Sequence, residues 1–158
     1  MGKRLAAVIR PVTTVKGARE LDQVDISVWG SDDPARHRFF EHFIFSGMRV
    51  YRLMVGEKAV GALVTGYQTS ANLMEVEELM VLHGFRGKGL GKLLLEFARK
   101  EARRRGHAGI VVEVDIRNRH AFEWYMRKGL KTVGRVLVDN EKAWIEEERV
   151  IGGRGKRA

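Results

Sequence analysis

The sequence predicts a mixed α/β domain, and three stretches carry that prediction. Residues Arg49–Tyr67 hold two alternating apolar runs around Gly56-Glu57-Lys58, the pattern of a β-hairpin. Leu90, Leu93, Leu94, Phe97 and Ala98 recur at the spacing of one helix face, directly after a glycine-rich loop. Ile110–Val114 is an apolar run broken only by Glu113, as expected of a strand covered on both faces.

The remaining elements follow in order. Ala6–Pro11 reads as a first strand and Lys16–Trp29 as a helix. Asp33 before Pro34 starts a second helix that ends near Gly47. After the hairpin, Gln68–Asn72 is turn-like and Leu73–Leu82 is a third strand. In the helix after the glycines, Arg99 and Lys100 fall outside the apolar set and are expected in solvent. Arg103, Arg104 and Arg105 crowd its last turn, where the helix dipole favours cations, and Gly106 caps it. Asn118 precedes a short helix, Arg119–Lys128, closed by Gly129. Leu130–Val138 and Ala143–Ile151 read as two final strands around an Asp139-Asn140 turn. No repeat or linker divides the chain, so residues 1–151 are expected to form a single domain and 152–158 a flexible basic tail.

Composition narrows the function. The chain has 158 residues, enough for one core, and a formal net charge of +9 that favours an anionic partner. It has no cysteine, which removes disulfides, thiolate catalysis and cysteine-held zinc, and fits a cytoplasmic protein. No apolar run reaches membrane-spanning length, so no membrane partner is expected.

The glycine loop is the most informative stretch. Glu77-Glu78-Leu79-Met80-Val81 is strand-like, Arg86-Gly87-Lys88-Gly89-Leu90-Gly91 follows, and a helix begins at once. Glycine lets backbone approach an anion, and the free amides and dipole of a helix start favour negative charge. Over residues 83–106, eight Lys or Arg stand against two Glu. The stretch is not a P-loop, because neither Gly87-Lys88 nor Gly91-Lys92 is followed by Ser or Thr. It is not a dinucleotide fingerprint, because Lys92 stands where the third glycine belongs. A tight strand-to-helix turn with no ligand would also use such glycines.

Arg86-Gly87-Lys88-Gly89-Leu90-Gly91 resembles the Arg/Gln-x-x-Gly-x-Gly/Ala signature of the GNAT superfamily of N-acetyltransferases. Asn118-Arg119-His120-Ala121-Phe122-Glu123-Trp124-Tyr125-Met126-Arg127-Lys128-Gly129-Leu130 resembles the same family's Asn-x-x-Ala-x-x-x-Tyr-x-x-x-Gly-Phe stretch, with Leu130 in place of Phe. The match covers residues 73–138. It implies a twisted, mixed but mostly antiparallel sheet flanked by helices, with a splayed central strand pair. It implies an acetyl-CoA-dependent transfer to a primary amine: a protein N-terminus, a lysine or a small-molecule amine. By this similarity the amides of Arg86, Gly87, Lys88, Gly89, Leu90, Gly91 and Lys92 hold the pyrophosphate of acetyl-CoA. Leu79, Met80 and Val81 hold its pantetheine arm through their backbone groups, and Asn118 touches the cofactor. The family also admits a homodimer.

Acetyl transfer to an amine needs a base, because an ammonium has no lone pair, and benefits from an acid for the departing thiolate. Glu77 is the first candidate base, through a water, and Glu75 the second, each by family position. Both share one strand face while Glu78 points the other way, unless a bulge intervenes. As solvated residues at a sheet edge, they would have no such role. Tyr125 is the candidate acid, since a phenol with reference pKa ~10 is protonated and able to donate. Its alternative is plain packing with Phe122 and Met126. Asn118 can equally be only a helix cap. No histidine is expected to bind a metal, for lack of ligand spacing. Trp29, Trp124 and Trp144 are expected in the core or in a substrate pocket.

Two rival readings stand beside this one. One is a basic nucleic-acid-binding module, weakened because no aromatic row accompanies Arg103–Arg105. The other is an acyl-CoA-binding relative without transfer activity. The acceptor is not encoded in any motif. By similarity its pocket draws on residues 16–47 and 138–151, with Asp32, Asp33 and Glu41 as candidate contacts.

Overall fold

The structure is a computed structural model and describes residues 6–29, 39–68, 72–115 and 117–145. Of helical residues 25–29 and strand residues 67–68 only the backbone is described, so Trp29 as a pocket wall lies outside its scope. So do the helix start at Pro34, Asp32 and Asp33, the centre of the Gln68–Asn72 turn, the last part of the Ala143–Ile151 strand, and the basic tail.

Among the described residues twelve elements follow in chain order, one of them a short 3-10 turn. They are β1 (Ala7–Val12), α1 (Val15–Trp29), α2 (Phe39–Phe45), β2 (Arg49–Val55), β3 (Lys58–Gln68), β4 (Leu73–Val81), the turn His83–Phe85, α3 (Leu90–Arg104), β5 (Ile110–Glu113), α4 (Arg119–Arg127), β6 (Lys131–Val133) and β7 (Val136–Val138). The strands form one sheet in the order β1-β2-β3-β4-β5-β7-β6. The pairs β1–β2, β2–β3, β5–β7 and β6–β7 are antiparallel, and β4–β5 is parallel. The mixed, mostly antiparallel class is therefore present, with helices between its strands. The chain divides into two compact units, residues 1–65 with 78–95, and residues 66–77 with 96–158.

The first unit is built on the edge strand β1, whose Pro11 needs no ladder donor there. Thr14 caps α1 by accepting from the amide of Gly17 at 3.1 Å. The buried carboxylate of Asp22 in α1 accepts from the amide of Phe40 at 2.8 Å, which satisfies a donor at the described start of α2. Gly47, at φ +78, ends α2 in the left-handed conformation. Leu21, Phe40, Phe43, Val50, Val64 and Met80 form the core, with Phe39 set edge-on to Phe43 at 4.6 Å between ring centroids. Each large apolar side chain buried there contributes roughly 1.5–3 kcal/mol. Gly61 is required by close approach: a Cβ would stand 2.5 Å from the carbonyl oxygen of Met80.

In the second unit β4 pairs with β5 through Met74↔Ile110, Glu75↔Val111 and Val76↔Val112. Leu73, Ala108, Val111, Val133, Val138 and Ala143 form its core. Two sequence expectations fail here. Leu130–Val138 is not one strand but the hairpin β6–β7, because Gly134 takes φ +56 and turns the chain. Residues 141–145 are helical rather than a strand, because the Asn140 side chain accepts from the amide of Ala143 at 2.9 Å and caps the turn.

Helix α3 buries Leu90, Leu94, Leu95, Ala98 and Ala102, while Leu93 is turned outward at 40% exposure. Arg99 is not in solvent as its position in the apolar pattern predicted. Its side chain is 15% exposed and bonds Glu96 at 2.6 Å and the carbonyl oxygen of Lys128 at 2.9 Å, with Asp139 at 3.7 Å. Three acceptors on this side of the helix make burial of the guanidinium cheaper than its exposure would suggest. Gly106, at φ +78, closes α3 as expected. Among the described residues no helix is long and apolar enough to cross a membrane.

Candidate active site

The glycine loop belongs to the first unit, together with the end of β4. The chain leaves β4 at Val81, makes the turn His83–Phe85, and reaches Arg86 in an extended conformation. Arg86 turns its guanidinium back, and Nε donates to the carbonyl oxygen of Val81 at 3.0 Å. This bond fixes the loop to the strand that leads into it. Gly87 and Gly89 follow at φ +74 and +78, where a residue with a Cβ is strained. Nothing lies within 4 Å of where their Cβ atoms would stand. The glycines are thus required by backbone conformation, and the space beside them is open.

Leu90 is buried at 5% exposure and anchors the first turn of α3. The amides of Leu90, Gly91 and Lys92 have no acceptor within the helix, as in any first turn. Lys88 and Lys92 are exposed at the same end. Open space, left-handed glycines, first-turn amides and two lysines make a fit for an oxyanion such as a pyrophosphate. Earlier in the chain, Leu79 is half-buried while Met80 and Val81 are buried, so any ligand contact there would come from backbone. The parallel pairing of β4 with β5 ends at Val76, and Glu77 through Val81 lie beyond it on the strand.

The ionisable candidates lie in the second unit. Glu75 and Glu77 share a face of β4, as alternation requires, and their side chains are hydrogen-bonded. Glu77 is exposed and Glu75 half-buried. Burial, then the bond and charge of Glu77, then the charge of Glu113, push the Glu75 carboxyl up to about 7. Glu113 was absent from the sequence-based site. The signal was available, because it is the one charge that interrupts the apolar run of β5. In the parallel register Glu75 lies opposite Val111, and Glu113 is on the same face as Val111.

Asn118 caps α4, its Oδ1 accepting from the amide of Ala121 at 3.2 Å. Tyr125 is buried at 7% exposure on α4, edge-on to Trp124 at 5.1 Å between centroids. Trp124 is half-buried and carries the Lys128 ammonium over its ring, whereas Trp144 is 37% exposed and not a core residue. The C-terminus of α4 is held by the bond from Arg99 to Lys128 described above. No cluster of metal-ligating side chains occurs among the described residues.

Comparison with known proteins places this architecture. Residues 17–130 match the model of the acetyltransferase (GNAT) family. The chain belongs to that family, a class of acyltransferases. A curated relative, the aminoalkylphosphonate N-acetyltransferase of Salmonella typhimurium, is 39% identical over 57 residues. That match takes in 36% of this chain and spans only 37% of the relative's own length. Among solved structures, the PaiA N-acetyltransferase of Thermoplasma acidophilum in complex with coenzyme A aligns with a TM-score of 0.66 at 18% identity, covering 84% of this chain and 96% of that one. The ribosomal-protein-S18-alanine N-acetyltransferase of Escherichia coli aligns with a TM-score of 0.67 at 18% identity, covering 80% and 79%. At such identities the likeness is one of fold.

Proposed function

We propose that the chain is an acetyl-CoA-dependent N-acetyltransferase that moves an acetyl group to a primary amine by direct attack in a ternary complex. The observation that carries this reading is the pair of left-handed glycines, Gly87 and Gly89, opening onto free space at the start of α3. Family membership and a neighbour solved with coenzyme A support the same reading. The lack of cysteine supports a cytoplasmic setting.

Acetyl-CoA supplies a thioester-activated acetyl group. In this proposal the amides of Arg86 through Lys92 hold its pyrophosphate, with charge from Lys88 and Lys92. Backbone groups of Leu79, Met80 and Val81 align its arm, and Asn118 adds a contact while capping α4. Glu75 takes the amine proton, directly or through a water. Glu77 is its hydrogen-bonded partner and the alternative base. Half-burial and a carboxyl pushed up to about 7 favour Glu75, since a base works best with a pKa near the working pH. As the new C–N bond forms and the C–S bond breaks, the Tyr125 hydroxyl gives its proton to the departing sulfur.

The test is thiol release from acetyl-CoA with a panel of amines: a peptide with a free N-terminus, a lysine peptide with a blocked one, and small amines. Amine-dependent release identifies a transferase and its acceptor class. Binding of acetyl-CoA without release to any amine would instead describe a non-catalytic acyl-CoA-binding relative.

A further inference from the structure

The first unit contains a cavity of about 780 Å³ that none of the chemistry above uses. It lies between α1 and the β1–β2–β3 strands, with Leu82 at one side. All of its lining residues belong to the first unit. Its volume is within the range of sites for small molecules.

The charges in its wall are unusual for a sheet. Arg10 of β1 and Arg52 of β2 are direct cross-strand partners, and both line the cavity. Like charges directly opposite one another destabilise a strand pair. Only one of the two is neutralised: Arg52 Nη1 donates to Glu20 Oε2 at 3.2 Å. That bond uses one of the five donors of the guanidinium, and Arg52 Nε is buried without an acceptor among the described residues. Arg10 has no ion-pair partner among the described residues. Lys58, whose ammonium stands 5.2 Å from the centre of the Phe85 ring, adds a third cation to the wall. Glu57 is the other carboxylate besides Glu20. Val24, Met54 and Leu82 supply an apolar lining.

We propose that this cavity binds a small molecule with an oxyanion head, phosphate or carboxylate, on an apolar body. The head sits between Arg10 and Arg52, where an anion relieves the repulsion of the facing guanidiniums and accepts from their terminal Nη donors, Arg52 Nε being buried out of its reach. The body lies against Val24, Met54 and Leu82. The site is separate from the glycine loop and does not depend on the loop's proposed role.

The probe is phenyl phosphate, titrated by calorimetry in the presence of saturating coenzyme A, with phenol and inorganic phosphate as the body and the head alone. Phenyl phosphate is expected to bind more tightly than either part. Arg10→Gln, a change at an exposed position, is expected to weaken it tenfold or more with an unchanged melting temperature. Glu20→Gln is expected to strengthen it by freeing Arg52. Gly89→Glu is expected to leave it unaltered, which separates this site from the loop. The proposal is overturned by no binding to the wild type, by equal binding to the folded Arg10→Gln protein, or by loss of binding in Gly89→Glu.

Discussion

Arg99 donates from Nη2 to the carbonyl oxygen of Lys128 at 2.9 Å, so a residue of α3 holds the C-terminal end of the helix that carries Tyr125. The same guanidinium meets Glu96 and the largely buried Asp139, whose carboxylate accepts from the amide of Ile110 at 2.9 Å. One side chain thereby ties α3, the end of α4 and the start of β5 within the second unit. Arg99→Ala removes the donor to the Lys128 carbonyl oxygen and the cation facing Asp139, whose carboxylate keeps its bond from the Ile110 amide. It is expected to cost about 2 kcal/mol in stability, read by urea unfolding. If α4 positions Tyr125 for catalysis, turnover falls as well while coenzyme A affinity is kept. A stability loss under 0.5 kcal/mol, roughly the level of a surface substitution, would contradict the tie.

Glu75 gives a pH dependence with a definite sign. Its carboxyl is raised from 4.5 to about 7 in the fold. Between those values the folded chain keeps a proton that the unfolded chain has lost. This contribution to stability is complete below 4.5 and disappears as pH rises through about 7. As a base, Glu75 must be ionised, so kcat/KM is expected to fall with acid below about 7. Glu75→Gln should remove both trends, with turnover down tenfold or more. A Glu75→Gln enzyme that keeps the acid limb would transfer the role to Glu77, and Glu77→Gln tests that directly.

Tyr125→Phe removes one hydroxyl and preserves the buried ring beside Trp124. Turnover is expected to drop ~100-fold, in the range typical of a lost general acid, with coenzyme A affinity nearly unchanged. Unaltered turnover would return Tyr125 to a packing role.

Gly61→Ala tests the first unit's packing. The added Cβ meets the Met80 carbonyl oxygen at 2.5 Å, and that atom is backbone with little room to yield. A loss of about 2 kcal/mol or more is expected in chemical unfolding, as for overpacking of a core. A neutral effect would show that β3 and the end of β4 separate easily at that point.

Much of this was readable in the sequence, and the failures have physical causes. Helix α3 was legible because a glycine loop and a helical apolar period mark its start and its face. The hairpin β2–β3 was legible because Gly56, at φ +59, interrupts two alternating runs. Arg99 was misread because periodicity reports polarity, and a polar residue can be drawn inward by acceptors distant in sequence, here Lys128 and Asp139. Residues 143–145 were misread because their composition suits a strand, while the side chain of Asn140 decides for a helical turn. At the site, the loop was visible as a motif. The grouping of Glu113 with Glu75 needed the parallel register, which no local pattern encodes.

The most direct test of the central claim is calorimetric titration of acetyl-CoA into the wild type, Gly89→Ala and Gly89→Glu. Alanine at φ +78 costs about 1 kcal/mol of backbone strain without adding charge, so it separates strain from repulsion. Binding to the wild type is expected, with weakened binding to Gly89→Ala and none to a folded Gly89→Glu, where a carboxylate meets the pyrophosphate. Equal affinity of the wild type and folded Gly89→Glu would contradict the claim, and so would a wild type that does not bind acetyl-CoA.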